Sequence, residues 1–230
     1  MTPEMAFECL LVSPDPAVFS TMNPILQDFS IATQRCTDAT KAADLLLEGS
    51  TDLIVIDLEA DRSSELLRKV QLSRAHQKPT VVAVSAMRNI VPGTHVFLRK
   101  PVTREAGITS LKSAYSRMVH DYRKHTRFAL MSQVVATDED DRIFLVTVTN
   151  IGEGGVGLSC KEALHVGAAL SVGLRLPELQ HEIFLKVRIL WNRKYGAAGC
   201  EFVQIATFDR QLLCAWLESR YRIKKPVLPI

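Results

Sequence analysis

HEIFLKVRILWN, residues 181–192, decides the class of the second half of this 230-residue chain. Ile183, Leu185, Val187, Ile189 and Trp191 alternate with Phe184, Lys186, Arg188 and Leu190. A period of two marks a strand that buries one face. RIFLVTVTN (142–150) repeats the pattern, with Phe144, Val146 and Val148 on one side. Working outward, strands are predicted near 129–136, 142–150, 155–160, 168–175, 182–192 and 198–205, joined by glycine-bearing turns. A closing helix is predicted over about 209–222, after Thr207. Several short strands at such spacing predict a small antiparallel β-barrel with a C-terminal helix.

The first half reads differently. FECLLV (7–12), LIVID (53–57), TVVAVS (80–85) and HVFL (95–98) are continuous apolar runs. Candidate helices fall at 15–28, 38–48, about 62–74 and about 103–122. Thr37 or Asp38 caps the second, and Gly49 lies just beyond its end. Ser13-Pro14 fits a helix start, with serine as N-cap and proline at the first helical position. Apolar strands alternating with helices predict a doubly wound parallel α/β sheet, covered on both faces. Glycine divides the chain at the same place: three precede residue 128 and eight follow it.

Composition bounds the function. The chain is 47% hydrophobic and 23% charged, enough apolar content to build a core. No apolar run approaches the ~20 residues of a membrane span, and the first sixteen residues lack the pattern of a signal peptide. A soluble, cytoplasmic protein without membrane insertion is expected. The five cysteines are odd in number and lack a CxxC pair, so buried free thiols are expected in place of a disulfide framework or zinc site. The six histidines show no ligand spacing, so neither a metal nor a cofactor is expected. A net charge of +3 is too small to imply nucleic acid. Its distribution is more informative, because Lys/Arg and Asp/Glu balance at 13 each over residues 1–117 and at 12 against 11 over 128–230. The excess lies between, where Arg123, Lys124 and Arg127 face Asp121 alone. Such a knot suggests a local anion site. The predicted organisation is an α/β domain over 1–117, a basic hinge over 118–127 and a barrel domain over 128–230.

Three positions in the first half carry a resemblance to the receiver domains of two-component response regulators, over about residues 5–120. Asp57 ends LIVID, Ser85 ends TVVAVS, and Lys100-Pro101 follows the last run. The resemblance implies a phosphoacceptor, a small hydroxyl residue and a lysine at the carboxyl ends of parallel strands, where ligand sites form in open α/β sheets. Phosphoryl transfer also needs Mg²⁺ held by carboxylates. Receivers supply an acidic pair after the first strand; here the matching residues are Ser13 and Pro14, with Asp15 one step on. The segment LEADRSSELL (58–67) is short for a receiver loop, and the fifteen positions from Ser85 to Lys100, with Pro92 and Gly93 among them, predict a fourth helix cut to a turn. This half therefore reads as a pseudo-receiver with a vestigial site at Asp57, Ser85 and Lys100. It would serve as a docking module or as the contact of a homodimer, and Asp57 would pair with Lys100.

YRKHTRF (122–128) holds an Arg-x-x-x-Arg pair, Arg123 and Arg127, and TNIGEGGVGLS (149–159) follows about two strands later. With ILWNRKYGAAGCEF (189–202) these resemble the PilZ family of bacterial cyclic di-GMP receptors, whose pattern is RxxxR, then (D/N)xSxxG and a hydrophobic strand. The resemblance covers about residues 120–222. It implies nucleotide binding, with Arg123 and Arg127 clamping cyclic di-GMP and Asn150, Gly152 and Gly155 in the opposing wall. Arginine suits that ligand, since its planar fork addresses phosphate oxygens and the guanine O6/N7 edge alike. Asn150 offers donors and an acceptor to a guanine edge. Gly152 departs from the pattern's serine. One neutral hydrogen bond is worth about 0.5–1.5 kcal/mol, so its loss weakens binding by about 2- to 12-fold.

GEGGVG (152–157) also matches GxGxxG, but its flanks read as strands, whereas a dinucleotide fold needs strand, turn and helix. No nucleophile or acid/base pair stands out, so no enzyme is expected. His125 reads as an exposed loop residue, and Trp191 and Trp216 read as core. The function expected is that of a bacterial signal-transduction effector. It would bind cyclic di-GMP and change its interdomain contacts or its contacts with a partner protein whose identity the sequence does not reveal. Two alternatives stand beside it: a ligand-blind scaffold with a decayed site, and a phosphorylation-switched response regulator.

Overall fold

The computed structural model describes residues 6–48, 51–72, 78–87, 91–193, 196–224 and 226–227. The chain forms two compact units, residues 1–121 with 222–230 and residues 122–221.

The first unit is a five-stranded parallel sheet. Its elements are β1 (Phe7–Val12), α1 (Pro16–Asp28), β2 (Ile31–Cys36), α2 (Ala39–Glu48), β3 (Leu53–Asp57), α3 (Ser63–Leu72), β4 (Thr80–Ser85), β5 (Val96–Arg99) and α4 (Arg104–His125). The strand order β2-β1-β3-β4-β5 is that of the flavodoxin-like doubly wound sheet. Every residue of β3 and β4 is buried, as helices on both faces require. β2 is the strand that apolar runs did not reveal: IATQRC carries Thr33, Gln34 and Arg35 because it is an edge strand paired only with β1. No helix occurs among the described residues between β4 and β5; residues 88–90 lie outside them. Residues 73–74, the expected end of the third helix, also lie outside the described residues.

The start of α1 corrects the sequence reading. Its N-cap is Asp15, whose Oδ1 accepts from Ala17 N at 2.8 Å, and Pro16 occupies the first helical turn. Aspartate satisfies an orphan helix donor at least as well as serine. Ser13, fully buried, is thereby left to face the sheet edge. The basic segment is a second correction: the helix expected to end near 122 runs to His125, so Arg123, Lys124 and His125 of the expected hinge form the last turn of α4, where cations complement the helix dipole. His125 is exposed at a helix end and does not sit in a loop. The tail after Tyr221 returns to the first unit: Tyr115 Oη donates to Lys224 O at 3.2 Å, and Val227 N to Asp28 O at 2.7 Å.

The second unit is a closed antiparallel barrel of β6 (Phe128–Asp138), β7 (Ile143–Gly152), β8 (Gly155–Ser159), β9 (Ala169–Arg175), β10 (Glu182–Asn192) and β11 (Ala197–Ile205), in the order β10-β11-β8-β7-β6-β9. Inward residues such as Val146, Val148, Leu174, Leu185 and Val187 form its core, closed by Leu213, Trp216 and Leu217 of α5 (Thr207–Glu218). The helix ends four residues short of the expected 222, its chain turning at Ser219. Alternation along β10 holds from Ile183 to Ile189 and then breaks at a bulge between Ile189 and Trp191. The extra residue turns Trp191 outward. Trp191 is 46% exposed and lies over its cross-strand partner Gly199, whereas Trp216 is core, as expected. Of the five thiols, Cys9, Cys36, Cys160 and Cys200 are buried and Cys214 is half-buried.

Candidate ligand site and the carboxyl edge of the parallel sheet

Strand register assembles the arginine motif. In the β6–β7 pair, Ala129 lies opposite Asn150 and Phe128 opposite Ile151, so the next step of that register sets Arg127 across from Gly152. Residues two apart share a face, which aligns Asn150 with Gly152 beside Arg127. Between α4 and β6 the chain turns at Thr126, whose N and Oγ1 both donate to Tyr122 O, at 2.9 and 2.7 Å.

Arg127 is exposed, and its Nη1 donates to Lys124 O at 3.0 Å and Thr126 O at 3.3 Å. A side-chain carbon at Gly152 would fall on Arg127 Nη1 and 2.6 Å from Thr126 O. The missing side chain is thus the space into which Arg127 folds. Asn150 Nδ2 donates to Thr149 Oγ1 at 3.2 Å, above its cross-strand partner Gly157. Gly155 serves a different purpose from an open ligand wall. It is buried, and a side-chain carbon there would land on Cys200 O, so its bareness permits the β8–β11 pairing. The open position is Gly154, exposed and with nothing near its Cβ direction.

Arg123 lies within a second cluster, which the sequence reading missed. Its Nη1 is 3.3 Å from Glu218 Oε1 at the end of α5, and its guanidinium carbon is 5.5 Å from the centre of the Tyr221 ring. Tyr221 Oη bridges Arg123 O (3.3 Å) and Glu153 Oε1 (3.1 Å). Burial, then the nearby Glu153 carboxylate, pushes the Tyr221 phenol up, so it stays a neutral donor. Phe128 and Tyr122 pack on its ring at 5.5 and 5.8 Å. Arg123 Nε is buried with no hydrogen-bond partner. Glu218 and Tyr221 lie about a hundred positions from Arg123, so spacing offered no signal for them.

At the carboxyl edge of the parallel sheet, register again sets the neighbours: Val12 pairs with Ile56, Asp57 with Val84, and Ser85 with Arg99. Asp57, 1% exposed, accepts from Ser13 Oγ at 2.6 Å and Lys100 Nζ at 2.8 Å, both on Oδ2, and from Glu59 N at 3.1 Å on Oδ1. The expected Asp57–Lys100 pair is present. Lys100 also reaches Glu59 at 2.8 Å and Asp15 at 3.8 Å. Glu59 Oε1 accepts from Ala86 N at 2.7 Å and from Ser85 Oγ at 3.4 Å. The Lys100 ammonium, with help from Ala86 N–H, holds the Glu59 carboxyl below the usual range. Burial opposes the charge on Lys100, but bonds to Asp57 and Glu59 outweigh it and raise the ammonium's pKa. Ser13 therefore uses its hydroxyl on Asp57. Glu59, which the sequence reading passed over, covers the pair from the solvent side.

Comparison with known proteins follows the same division. The family model of the PilZ domain matches residues 121–219. The second unit is a PilZ domain. Over the other half, solved structures of receiver domains align. A chemotaxis response regulator of Vibrio cholerae is 16% identical, with 48% of this chain and 99% of that chain covered and a TM-score of 0.44. The signal receiver domain of an HD domain-containing protein from Pseudomonas fluorescens is 19% identical over 55% of this chain and 98% of that chain, with a TM-score of 0.46. The structure of the Bacillus subtilis inhibitor of motility aligns at 20% identity, covering 43% of this chain and 50% of that chain, with a TM-score of 0.35. No curated protein sequence matches the chain. The protein joins a doubly wound parallel α/β unit to a PilZ domain, and none of its described helices is long and apolar enough to cross a membrane.

Proposed function

We propose that the PilZ domain is a cyclic di-GMP receptor and that the protein is a non-catalytic cytoplasmic effector. The ligand would engage Arg123, Arg127, Asn150 and the open turn at Gly152–Gly154. The observation that carries this reading is the register that sets Arg127 across from Gly152, with Asn150 on the same face. The resting partners of the arginines do not forbid a ligand. An ion pair as exposed as Arg123–Glu218, 37% and 57%, is worth about 0–1 kcal/mol. A charge-assisted bond to phosphate is worth about 1.5–3 kcal/mol. Exchange therefore favours the anion. Calorimetry with cyclic di-GMP is expected to give micromolar or tighter binding that Arg127→Ala removes; an inert wild-type protein would reject the reading.

The ligand-blind alternative draws on one observation: Arg127 already donates to two carbonyls and Arg123 already has a carboxylate. The same titration separates the two. The receiver-like unit is proposed as a docking module for a partner protein or a second copy, without phosphoryl chemistry. Asp57 is buried beneath Ser13, Lys100 and Glu59, and no acidic pair follows β1. Incubation with a small phosphodonor and Mg²⁺ is expected to leave the intact mass unchanged. A stoichiometric gain lost in Asp57→Ala would restore the response-regulator alternative.

A further inference from the structure

From the cluster around Arg123 we infer that Glu218 and Tyr221 form a latch that holds this arginine closed until ligand displaces it. The inference rests on the proposed cyclic di-GMP reading and adds its regulation. Three facts point to a latch and away from a passive surface contact. First, Glu218 places a carboxylate on Nη1, where a phosphate would bind. Second, Tyr221 ties two candidate site segments together, since its single O–H proton is shared between Arg123 O and Glu153, the residue after Gly152. Third, the closed arrangement is incompletely satisfied, because Arg123 Nε is buried without an acceptor. A buried donor left unpaired is costly, so the closed state sits above what the same guanidinium could reach with a phosphate oxygen.

The latch is also wired to the rest of the chain. Glu218 is the last residue of α5, and Ser219 to Tyr221 complete its exit. Three residues after Tyr221, Lys224 O accepts from Tyr115, and Val227 N donates to Asp28 O. Ligand that takes Arg123 from Glu218 loosens Tyr221, and residues 219–224 beside it are expected to loosen with it. The size of such a shift is bounded by the difference in ligand affinity between latched and open forms.

The test uses the full chain and calorimetric titration of cyclic di-GMP at fixed ionic strength. Glu218→Gln removes the competing charge and is expected to tighten binding by about 2- to 5-fold, the worth of an exposed ion pair. Tyr221→Phe leaves net charge unchanged while deleting both phenol bonds, and is expected to tighten binding by about 2-fold or more. Glu139→Gln, in the turn after β6, removes the same charge as the first variant and is expected to have no effect. Hydrogen exchange of wild type is expected to speed up at residues 219–224 when ligand binds. Tighter binding in both latch variants, or binding by them where wild type is silent, upholds the latch. Binding by wild type that both variants leave unchanged, or unchanged exchange at 219–224, overturns the latch and leaves the receptor intact. Silence from wild type and both variants overturns the two together.

Discussion

The carboxyl edge of the parallel sheet and the motif end of the PilZ barrel hold their charged groups in opposite ways. At the sheet edge, the Ser13 hydroxyl bonds to Asp57. At the barrel, Gly152 stands where serine is expected, and the vacated volume receives Arg127. The first arrangement buries a fully partnered carboxylate. The second leaves two cations with partners that are exposed or are main-chain carbonyls. Whether a site can still be reached is decided by the burial of its resting partners and less by how complete its motif is.

That contrast is broken most easily at Lys100. Lys100→Ala leaves the Asp57 side chain without its cation in a fully buried setting, and removing one partner of a buried pair costs about 3–5 kcal/mol. The receiver-like unit is expected to lose about 3 kcal/mol, read from exchange of the β3 amides, while amides of the PilZ barrel stay protected. A loss below about 1 kcal/mol would mean that Ser13 and Glu59 N–H suffice to hold Asp57. Next in size is a pair of glycine changes within the barrel. Gly155→Ala drives a methyl into Cys200 O and is expected to cost about 1–3 kcal/mol, whereas Gly154→Ala meets open space and is expected to be neutral in thermal melts. Equal effects would contradict the assignment of Gly155 to strand pairing.

Gly152→Ser sharpens the comparison from the ligand's side. The new side chain displaces the Arg127 guanidinium and makes the Thr126 carbonyl shift. The expected result is a gain in cyclic di-GMP affinity of about 2- to 12-fold by calorimetry; weaker binding would show that Arg127 acts from its folded position. The smallest effect concerns acid. Glu59 has a folded pKa below its ordinary value of 4.5, so its contribution is present above about pH 4.5 and fades as pH falls through the folded value. The receiver-like unit is expected to weaken below pH 4.5 in acid titrations followed by β3 exchange, with a shallower slope in Lys100→Met. An identical slope would remove Lys100 as the cause.

Much of the architecture was legible because burial on one or both faces leaves a period in the sequence. β10 and the buried β3 and β4 are examples. β2 was not, because an edge strand tolerates Thr33, Gln34 and Arg35. Trp191 misled because one bulge residue inverts every side chain beyond it. The last residues of α4, 123–125, were hidden because basic residues suit a helix C-terminus and a hinge equally. At the candidate site, the spacing put Arg127 and Asn150 together across the β6–β7 register, whereas Arg123 falls in a separate cluster with Glu218 and Tyr221. Gly155 was misplaced, since a glycine required by a crossing backbone looks the same in sequence as one that makes room for a ligand. Glu59, Glu218 and Tyr221 act across long sequence separations and carry no local signature.

A groove on the barrel wall, about 910 Å³ and lined by Gln133, Thr137, Arg175, Lys186 and Gln204 among others, offers a rival location for an anion. The most direct measurement is therefore a site-resolved one: side-chain NMR of the arginine Nε–H and asparagine amide groups during titration with cyclic di-GMP. The resonances of Arg123, Arg127 and Asn150 are predicted to shift together and saturably while Arg175 stays still. Shifts confined to Arg175, or no shifts at millimolar ligand, would contradict the account.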